Sequence, residues 1–212
     1  MEHINIVQVK EILKKISEVM DEAKDYLIAL DGAMGDGDLG LTMSEGFRAI
    51  VNEMDKVEGE DIGALIGKMG MVMANTVPST MGTLMATALM KGGKAIKGLK
   101  QITLKDMIDF GQAGIEGIKM RGKAEVGDKT ILDSLHPAVE SLKKSKESQL
   151  DFREAFKDAY EAAEVGAIMT KDIKSKFGRA AYYGEGSIGN QDPGATVGMF
   201  LFKAIYEYFK CK

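Results

Sequence analysis

The sequence lacks tryptophan and contains only one cysteine and three prolines among its 212 residues. The single cysteine, Cys211, excludes a framework of internal disulfides and indicates a reducing compartment. Because the prolines lie at Pro78, Pro137 and Pro193, long stretches between them are free to form unbroken helices. No apolar run approaches the roughly 20 residues of a membrane-spanning helix, and the first residues show no signal-peptide pattern. We therefore expect a cytoplasmic protein with no membrane partner.

The sequence also lacks an excess of positive charge. Its net charge is −4, and it has no basic stripe interleaved with aromatic residues, so nucleic acid is not an expected partner. Hydrophobic residues make up 45% and charged residues 28% of the chain, an ordinary balance for a globular protein. The length suits one domain over residues 1–212. No Ser/His/Asp or Cys/His arrangement is visible, so we do not expect nucleophilic catalysis by this chain alone.

Apolar residues recur at three- and four-residue spacing through most of the chain, which predicts an all-α fold. The first helix is predicted over residues 6–27, a length of about six turns. Further helices are predicted over residues 41–54, 60–75, 81–96, 103–120, from about 130, 150–170 and 196–212. Short connections between most of them favour antiparallel neighbours in a bundle or a helical barrel.

The segment between residues 170 and 195 interrupts this helical pattern. It is rich in glycine and polar residues, yet it also contains Tyr182, Tyr183, Ile188 and Pro193 and is therefore less polar than a disordered linker. Unstructured connections of about 20 residues are uncommon in compact domains and usually carry function. We therefore interpret this segment as a functional loop.

A glycine-rich stretch at residues 28–43, IALDGAMGDGDLGLTM, carries three aspartates, Asp31, Asp36 and Asp38. Its GDGDLG core matches the G-x-G-x-x-G pattern of a dinucleotide-binding turn. That turn needs a preceding strand and an uncharged approach to pyrophosphate, whereas a predicted helix precedes this stretch and two carboxylates lie inside the motif. An EF-hand is excluded as well, because Ala33 and Gly40 occupy positions that require an oxygen-bearing side chain.

Binding of a hard cation explains this stretch better. Three carboxylates on a glycine-rich turn can converge on Mg²⁺, which prefers a few carboxylates together with water and substrate phosphates. The cation would turn an anionic loop into a phosphate receptor, and Gly40, Leu41 and Thr42 open a helix whose N–H groups suit a phosphate. A solvated turn with an aspartate N-cap would explain one of the aspartates but not all three.

Three stretches together resemble the ADP-binding L subunit of dihydroxyacetone kinase, which is also the nucleotide-binding domain of the single-chain ATP-dependent form. They are LDGAMGDGDLG at residues 30–40, RGKAEVGDKTILD at 121–133 and GRAAYYGEGSIGNQDPGAT at 178–196. The resemblance covers essentially the whole chain. It implies an antiparallel eight-helix barrel with the nucleotide, ADP or ATP, at one end. It also implies two Mg²⁺ ions held by Asp31, Asp36 and Asp38.

The resemblance assigns further contacts to the bound nucleotide. It implies that Arg179 reaches the phosphoryl group being transferred. The residues implied to contact the phosphates are Leu39, Gly40, Leu41, Thr42, Ser79 and Thr80. The residues implied to frame the adenosine are Gly122, Ile131, Asp192, Pro193 and Gly194.

The resemblance also implies a kinase that acts with a partner. In this family a separate K subunit holds the ketone substrate through a histidine, and nothing in this sequence supplies that histidine-bearing domain. The phosphoryl donor is either a phosphohistidine protein of the phosphotransferase system, which rephosphorylates bound ADP, or freely exchanging ATP. The sequence does not distinguish these two forms, and it leaves open whether the chain forms a homodimer.

Some positions depart from the family pattern. Leu39 replaces the usual histidine after GDGD, Gly186 the arginine of GERS, and Asn190 the histidine before QDPGA. TVPSTMGT at residues 76–83 replaces the usual Gly-Ala-Ser-Gly-like phosphate loop. Because the aspartates and Arg179 are retained, we expect metal and phosphate handling to persist. A regulatory nucleotide-binding module without turnover and a fatty-acid-kinase-type nucleotide domain are kept as alternatives.

Overall fold

The computed structural model describes residues 3–212, in which nearly all regular structure is helical. The α-helices in these residues are α1 (Ile6–Glu22), α2 (Lys24–Gly32), α3 (Leu39–Met54), α4 (Ile62–Thr76), α5 (Thr80–Ala95), α6 (Leu104–Gly122), α7 (Leu132–Glu147), α8 (Phe152–Met169) and α9 (Pro193–Lys210). Two short strands, β1 (Ile4–Asn5) and β2 (Gln101–Ile102), pair antiparallel with Ile4 opposite Ile102. The predicted all-α fold is confirmed.

Eight of these helices form a closed ring. From α3 to α9 each helix packs on the next one along the chain, and α1 packs on both α3 and α9 and so closes the ring. Helix α2 extends α1 and packs against α3 and α9. Apart from the segment between α8 and α9, most connections between consecutive helices are short, which places sequence neighbours side by side. The predicted eight-helix barrel is confirmed.

The beginning of the chain differs from the sequence prediction in one respect. The single helix predicted over residues 6–27 is divided at Ala23 into α1 and α2, and α2 continues to Gly32. The Ala23 N–H still donates to the Val19 carbonyl and the Leu27 N–H to the Ala23 carbonyl, so helical hydrogen bonding continues through the division. The apolar spacing therefore persists across it, and the pattern alone does not reveal the break.

Polar caps fix where several helices begin. Helix α6 starts with a capping box formed by Thr103 and Asp106. At the start of α5, Ser79 Oγ accepts the Gly82 N–H at 3.0 Å. At α7 the Asp133 carboxylate accepts the Thr130 N–H at 2.7 Å. Because such caps hold helix starts in place, they also fix the side chains that these starts carry.

The barrel interior is apolar. Phe47 and Phe156 are among its largest fully buried side chains, and Phe156 stacks on Phe209 with ring centroids 5.4 Å apart. The segment between α8 and α9, predicted as a functional loop, contains 3₁₀ turns at Thr170–Asp172 and over Arg179–Ser187, and the second stretch is interrupted at Gly184. Within residues 3–212, no helix is both long enough and apolar enough to cross a membrane.

Candidate functional site

The three aspartates of the glycine-rich stretch lie together at the junction of α2 and α3. Asp31 belongs to the last turn of α2, Asp36 lies in the connection, and Asp38 immediately precedes α3. One carboxylate oxygen from each aspartate lies within 4.8 Å of the others. The structure thus brings together the three residues predicted to hold Mg²⁺. We call residues 31–38, which carry them, the acidic loop.

Two glycines shape the acidic loop. Gly37 has a φ of 72°, a left-handed conformation that favours glycine. At Gly35 an added Cβ would lie 2.8 Å from the Asp31 carbonyl oxygen and would also clash with the Asp31 carboxylate. Because a side chain at either position would strain the chain, these glycines let the loop turn back so that Asp36 and Asp38 approach Asp31.

The acidic loop concentrates negative charge. Partial desolvation raises the pKa of Asp38, and the carboxylates of Asp36 and Asp31 raise it further, whereas Arg179 opposes the rise. The Arg179 guanidinium Nη2 lies 2.6 Å from Asp36 Oδ2. An all-oxygen donor set with excess negative charge fits a hard divalent cation, and the carboxylates leave coordination positions for other oxygen ligands.

Two helix N-termini meet beside the acidic loop. Helix α3 begins at Leu39, whose N–H donates to Asp31 Oδ2 at 3.3 Å. The Thr42 hydroxyl of α3 donates to Ser79 Oγ, the N-cap of α5, at 3.3 Å. The N–H groups at the start of a helix carry partial positive charge. Their convergence gives this end of the barrel a surface suited to phosphate or another anion.

These elements line one cleft with a volume of about 330 Å³. The predicted site residues in its lining are Asp31, Asp36, Asp38, Leu39, Ser79, Thr80, Ile131, Arg179, Asp192, Pro193 and Gly194. The cleft therefore joins segments that are far apart in the sequence, and it includes residues implied for metal, phosphate and adenosine contacts alike.

Four predicted residues, Gly40, Leu41, Thr42 and Gly122, are not in the cleft lining. Gly40 faces α2, because an added Cβ there would lie 3.0 Å from the Ile28 nitrogen. Leu41 lies outside the cleft with 46% of its surface exposed, and Thr42 is buried against Ser79, the N-cap of α5. Gly122 lies behind Leu84, a residue that lines the cleft, since an added Cβ at Gly122 would contact the Leu84 side chain at 3.3 Å.

Part of the cleft was not predicted from the sequence. Its apolar wall includes Leu30, Met34, Met81, Leu84 and Phe177. Met81 and Leu84 are three residues apart on α5 directly after the Ser79 cap, so helical spacing could have placed both on the face that begins at this cap. Phe177 lies in the irregular segment after α8, where no periodic signal marks it.

Asp192 caps α9 within the cleft. Its carboxylate accepts the Ala195 N–H at 2.6 Å, and its own N–H donates to Thr170 Oγ1 at 2.9 Å. Burial raises the pKa of Asp192 to about 7, and the Asp133 carboxylate contributes to the rise, whereas the helix N–H groups and Lys129 oppose it. A carboxyl group that titrates near neutrality in a cleft is a candidate functional group.

The helical barrel and its carboxylate-bearing cleft correspond to a known class of domain. Residues 33–207 match the DAK2 domain. The chain therefore belongs to the DAK2-domain family, and the family resemblance expected from its sequence is confirmed.

Relatives of this chain include ADP-binding subunits of dihydroxyacetone kinases. It is 35% identical over 198 residues to the ADP-binding subunit DhaL of the PEP-dependent dihydroxyacetone kinase of Escherichia coli (strain K12), with 93% of this chain and 94% of the relative covered. It is 32% identical over 197 residues to the ADP-binding subunit DhaL of the PTS-dependent dihydroxyacetone kinase of Lactococcus lactis subsp. lactis (strain IL1403), with 93% and 94% covered.

A solved structure shows the same fold. The dihydroxyacetone kinase from C. freundii in complex with AMP-PNP and Mg²⁺ matches with a TM-score of 0.75 and 25% sequence identity. The match covers 98% of this chain and 34% of that chain, so the barrel corresponds to about a third of the larger protein.

Proposed function

We propose that this protein is the nucleotide-binding subunit of a dihydroxyacetone kinase. It binds Mg²⁺ with ADP or ATP and transfers the terminal phosphoryl group to dihydroxyacetone, or a related short ketose, held by a separate K subunit. The observation that carries the proposal is the convergence of Asp31, Asp36 and Asp38 beside Arg179 in one cleft. The relatives support it, because those matched over nearly their whole length are ADP-binding subunits of such kinases.

Asp31, Asp36 and Asp38 would hold the metal. When bound, Mg²⁺ would neutralise phosphate charge and leave positions for phosphate and water oxygens, and the family resemblance suggests two ions. Without a cation, these carboxylates repel one another and would repel phosphates at the same short range. We therefore expect nucleotide binding to depend on Mg²⁺.

The two helix starts would receive the phosphates. Ser79 and Thr80 line the cleft and are proposed to contact phosphate oxygens directly, whereas Leu39 offers the phosphates only its main chain. Gly40, Leu41 and Thr42 would act through the backbone, because their N–H groups belong to the first turn of α3 and contribute to its positive end.

The apolar part of the cleft would hold the adenosine. Ile131, Pro193 and Gly194 line it beside Met81 and Leu84 of α5, and Asp192 caps the helix that follows. Clefts that bind small molecules combine such apolar walls with a few fixed polar groups. Gly122 would contribute by allowing Leu84 to pack closely against α6.

Arg179 would stabilise the phosphoryl group in transfer. Phosphoryl transfer requires little covalent chemistry from the protein, and most of the rate comes from positioning and from neutralising charge. The guanidinium group already lies beside Asp36 and therefore next to the proposed metal position.

The ketose must be held by a partner. Among the described residues that line the cleft there is neither a histidine nor a cysteine, so the cleft offers no counterpart to the K-subunit histidine of this family. Tyr182 and Tyr183, just after Arg179, are 92% and 54% exposed. Exposed aromatic side chains beside a catalytic arginine suit a surface that a K subunit covers.

The phosphoryl donor has two forms that a dialysis experiment separates. If ADP is a fixed cofactor rephosphorylated by a phosphohistidine protein of the phosphotransferase system, about one ADP per chain should survive exhaustive dialysis in Mg²⁺ buffer. If ATP exchanges freely, the nucleotide should be lost.

A regulatory nucleotide-binding module is the second candidate function, and Leu39 favours it. This residue stands where the family has histidine, and its side chain is 5% exposed and packed with the apolar core. It therefore brings no polar group to the cleft, which is compatible with nucleotide binding that is not followed by turnover.

A reconstituted transfer assay tests the proposed function. Phosphorylation of dihydroxyacetone is expected only when this chain, a K subunit, Mg²⁺ and a phosphoryl donor are all present. Asp25→Asn is a matched control, because Asp25 is an exposed aspartate of α2 and not part of the cleft lining. Tight ADP binding without turnover of any short ketose would favour the regulatory module, and no nucleotide binding at all would contradict both functions.

A further inference from the structure

Lys129 lies in the connection between α6 and α7 and is almost entirely buried, with 3% of its surface exposed. Its backbone has a φ of 63°, a left-handed conformation that is uncommon for a residue with a side chain. Lysine is seldom buried to this extent unless its ammonium group has partners. The surrounding structure therefore offsets two unfavourable free-energy terms, one for the left-handed backbone and one for removing the ammonium group from water.

The Lys129 ammonium group donates to three main-chain carbonyl oxygens. They belong to Ile173 at 3.1 Å, Ser187 at 2.6 Å and Asn190 at 2.7 Å. Because an ammonium group has three N–H donors, these bonds use all of them. Burial lowers the pKa of Lys129, and the nearby Asp192 carboxylate opposes this change. The carbonyl dipoles thus replace the water that the ammonium group gives up.

The three carbonyls enclose the stretch of chain that carries Arg179. Ile173 precedes Arg179, and Ser187 and Asn190 follow it. Lys129 therefore ties both ends of this stretch, which we call the 173–190 segment, to one point outside it. Arg179 projects from between the tied ends to reach Asp36.

We propose that Lys129 is a positioning residue whose ammonium group fixes the 173–190 segment in the conformation that presents Arg179 to the phosphoryl group. Although Lys129 is in the cleft lining, its donors are occupied by carbonyls, so it is not a phosphate-binding lysine. What Arg179 does there rests on the proposed function, whereas the tie itself does not.

The ion pairs of the segment involve exposed lysines, and the buried bond from the Ser175 N–H to Ser187 Oγ lies inside the segment and does not link it to the barrel. Lys174 pairs with Glu185 inside the segment, and these side chains are 53% and 77% exposed. Lys176 reaches the buried Asp128, but its own side chain is 64% exposed, and its main-chain N–H donates to the Asp128 carbonyl only at 3.4 Å. Exposed ion pairs contribute little to stability, so the buried ammonium group is the stronger link between the segment and the barrel.

Hydrogen exchange of the full chain without nucleotide tests the tie independently of turnover. Lys129→Met keeps a long apolar side chain and removes the ammonium group. We expect the amides of residues 174–190 to exchange at least about tenfold faster, while those of α3 and α5 are unchanged. Lys174→Met is the matched control in the same segment and should leave exchange unchanged. A folded Lys129→Met protein with unchanged exchange in the segment overturns the proposal.

Kinetics separate positioning from a general loss of folded protein. In the reconstituted assay the kcat of Lys129→Met is expected to fall at least about tenfold, because Arg179 is no longer held. The Kd for ADP with Mg²⁺ should rise less than about threefold, because other elements hold the acidic loop. The stoichiometry should stay at about one ADP per chain. A proportional loss of ADP stoichiometry and kcat would mean that folded protein is lost, which contradicts the proposal.

A second variant keeps the test decisive if Lys129→Met does not fold. Lys129→Arg keeps the charge, but a planar guanidinium cannot direct its N–H groups from one nitrogen to three carbonyls, so the same faster exchange is expected. If neither variant folds, Lys129 supports the whole barrel and the proposal fails. If the unaltered chain does not bind ADP with Mg²⁺ while exchange in the segment responds as expected, the proposed function fails and the tie stands.

Discussion

The guanidinium group of Arg179 lies 2.6 Å from the Asp36 carboxylate, and this contact joins the segment after α8 to the loop before α3. The two side chains are 65% and 43% exposed, so the pair itself contributes at most about 1 kcal/mol to stability. Its importance lies in placement. It brings a cation that cannot lose its charge to a cluster of three carboxylates, at the position where we propose that phosphoryl transfer occurs.

Replacement of Arg179 should separate catalysis from binding. In Arg179→Gln we expect kcat in the reconstituted transfer assay to fall about a thousandfold, because the charge that develops in the transition state loses its counter-charge. The Kd for ADP with Mg²⁺, measured by calorimetry, should change less than about threefold, since the acidic loop is intact. Arg153→Gln, at an exposed position of α8, is the control with unchanged kcat. A kcat within threefold of the unaltered protein would contradict the role of Arg179.

The acidic loop should be sensitive to a single methyl group. In Gly35→Ala the new Cβ meets both the carbonyl oxygen and the carboxylate of Asp31, so we expect the Kd for ADP with Mg²⁺ to rise at least about tenfold. Gly32→Ala is the matched control, because its Cβ would come no closer than 3.9 Å to other atoms of the fold. Equal affinities of the two variants would show that the glycine does not shape the site.

The ionisation of Asp192 should make the free energy of unfolding depend on pH. Its pKa is about 7 in the folded chain, above the ordinary value of 3.8, so the folded state holds the proton more tightly than the unfolded state does. The free energy of unfolding contributed by this group is therefore full below pH 3.8 and is lost as the pH rises towards 7. Asp192→Asn keeps an N-cap acceptor and cannot ionise. Compared with the unaltered chain, its free energy of unfolding should rise by about 2–3 kcal/mol between pH 5 and pH 8, because each pH unit between 5 and 7 is worth about 1.4 kcal/mol.

Denaturant unfolding at several pH values measures this gain. The matched control is Asp151→Asn, because Asp151 is the N-cap of α8 and accepts the Glu154 N–H at 2.9 Å, but is exposed. The free energy of unfolding of Asp151→Asn should differ from that of the unaltered chain by the same amount over this whole pH range. A constant difference between the Asp192→Asn variant and the unaltered chain at all pH values would refute the assignment.

The parts of the fold and site that are local in sequence were predictable from it. Apolar spacing predicts the helices, because each helix buries one face whatever lies opposite. The acidic loop places Asp31, Asp36 and Asp38 within eight residues, so a turn rich in glycine can bring them together without help from the rest of the chain. The position of Ser79 at a helix start is local for the same reason, since an N-cap bonds to residues in the first turn of its own helix.

The parts that depend on distant contacts were not predictable from residue patterns. The barrel closes where α1 packs on α9, and no periodic signal says which helices meet. Lys129 bonds to carbonyls of residues 44 and 61 positions later, and main-chain acceptors leave no trace in the sequence. The direction in which Gly40 faces depends on how α3 crosses α2, so the motif could not show that this glycine packs against α2 and does not line the cleft.

The most direct test of the account is the Mg²⁺ dependence of ADP binding in Asp38→Asn, measured by calorimetry beside the control Asp25→Asn. We expect the unaltered chain and the control to bind ADP only when Mg²⁺ is present. In Asp38→Asn the affinity should fall at least about a hundredfold, because a ligand of the metal is lost. Its helical circular dichroism should be unchanged and its thermal midpoint without metal equal or higher, because one of three mutually repelling carboxylates is removed. A folded Asp38→Asn protein that binds ADP with unchanged, Mg²⁺-dependent affinity would contradict the account.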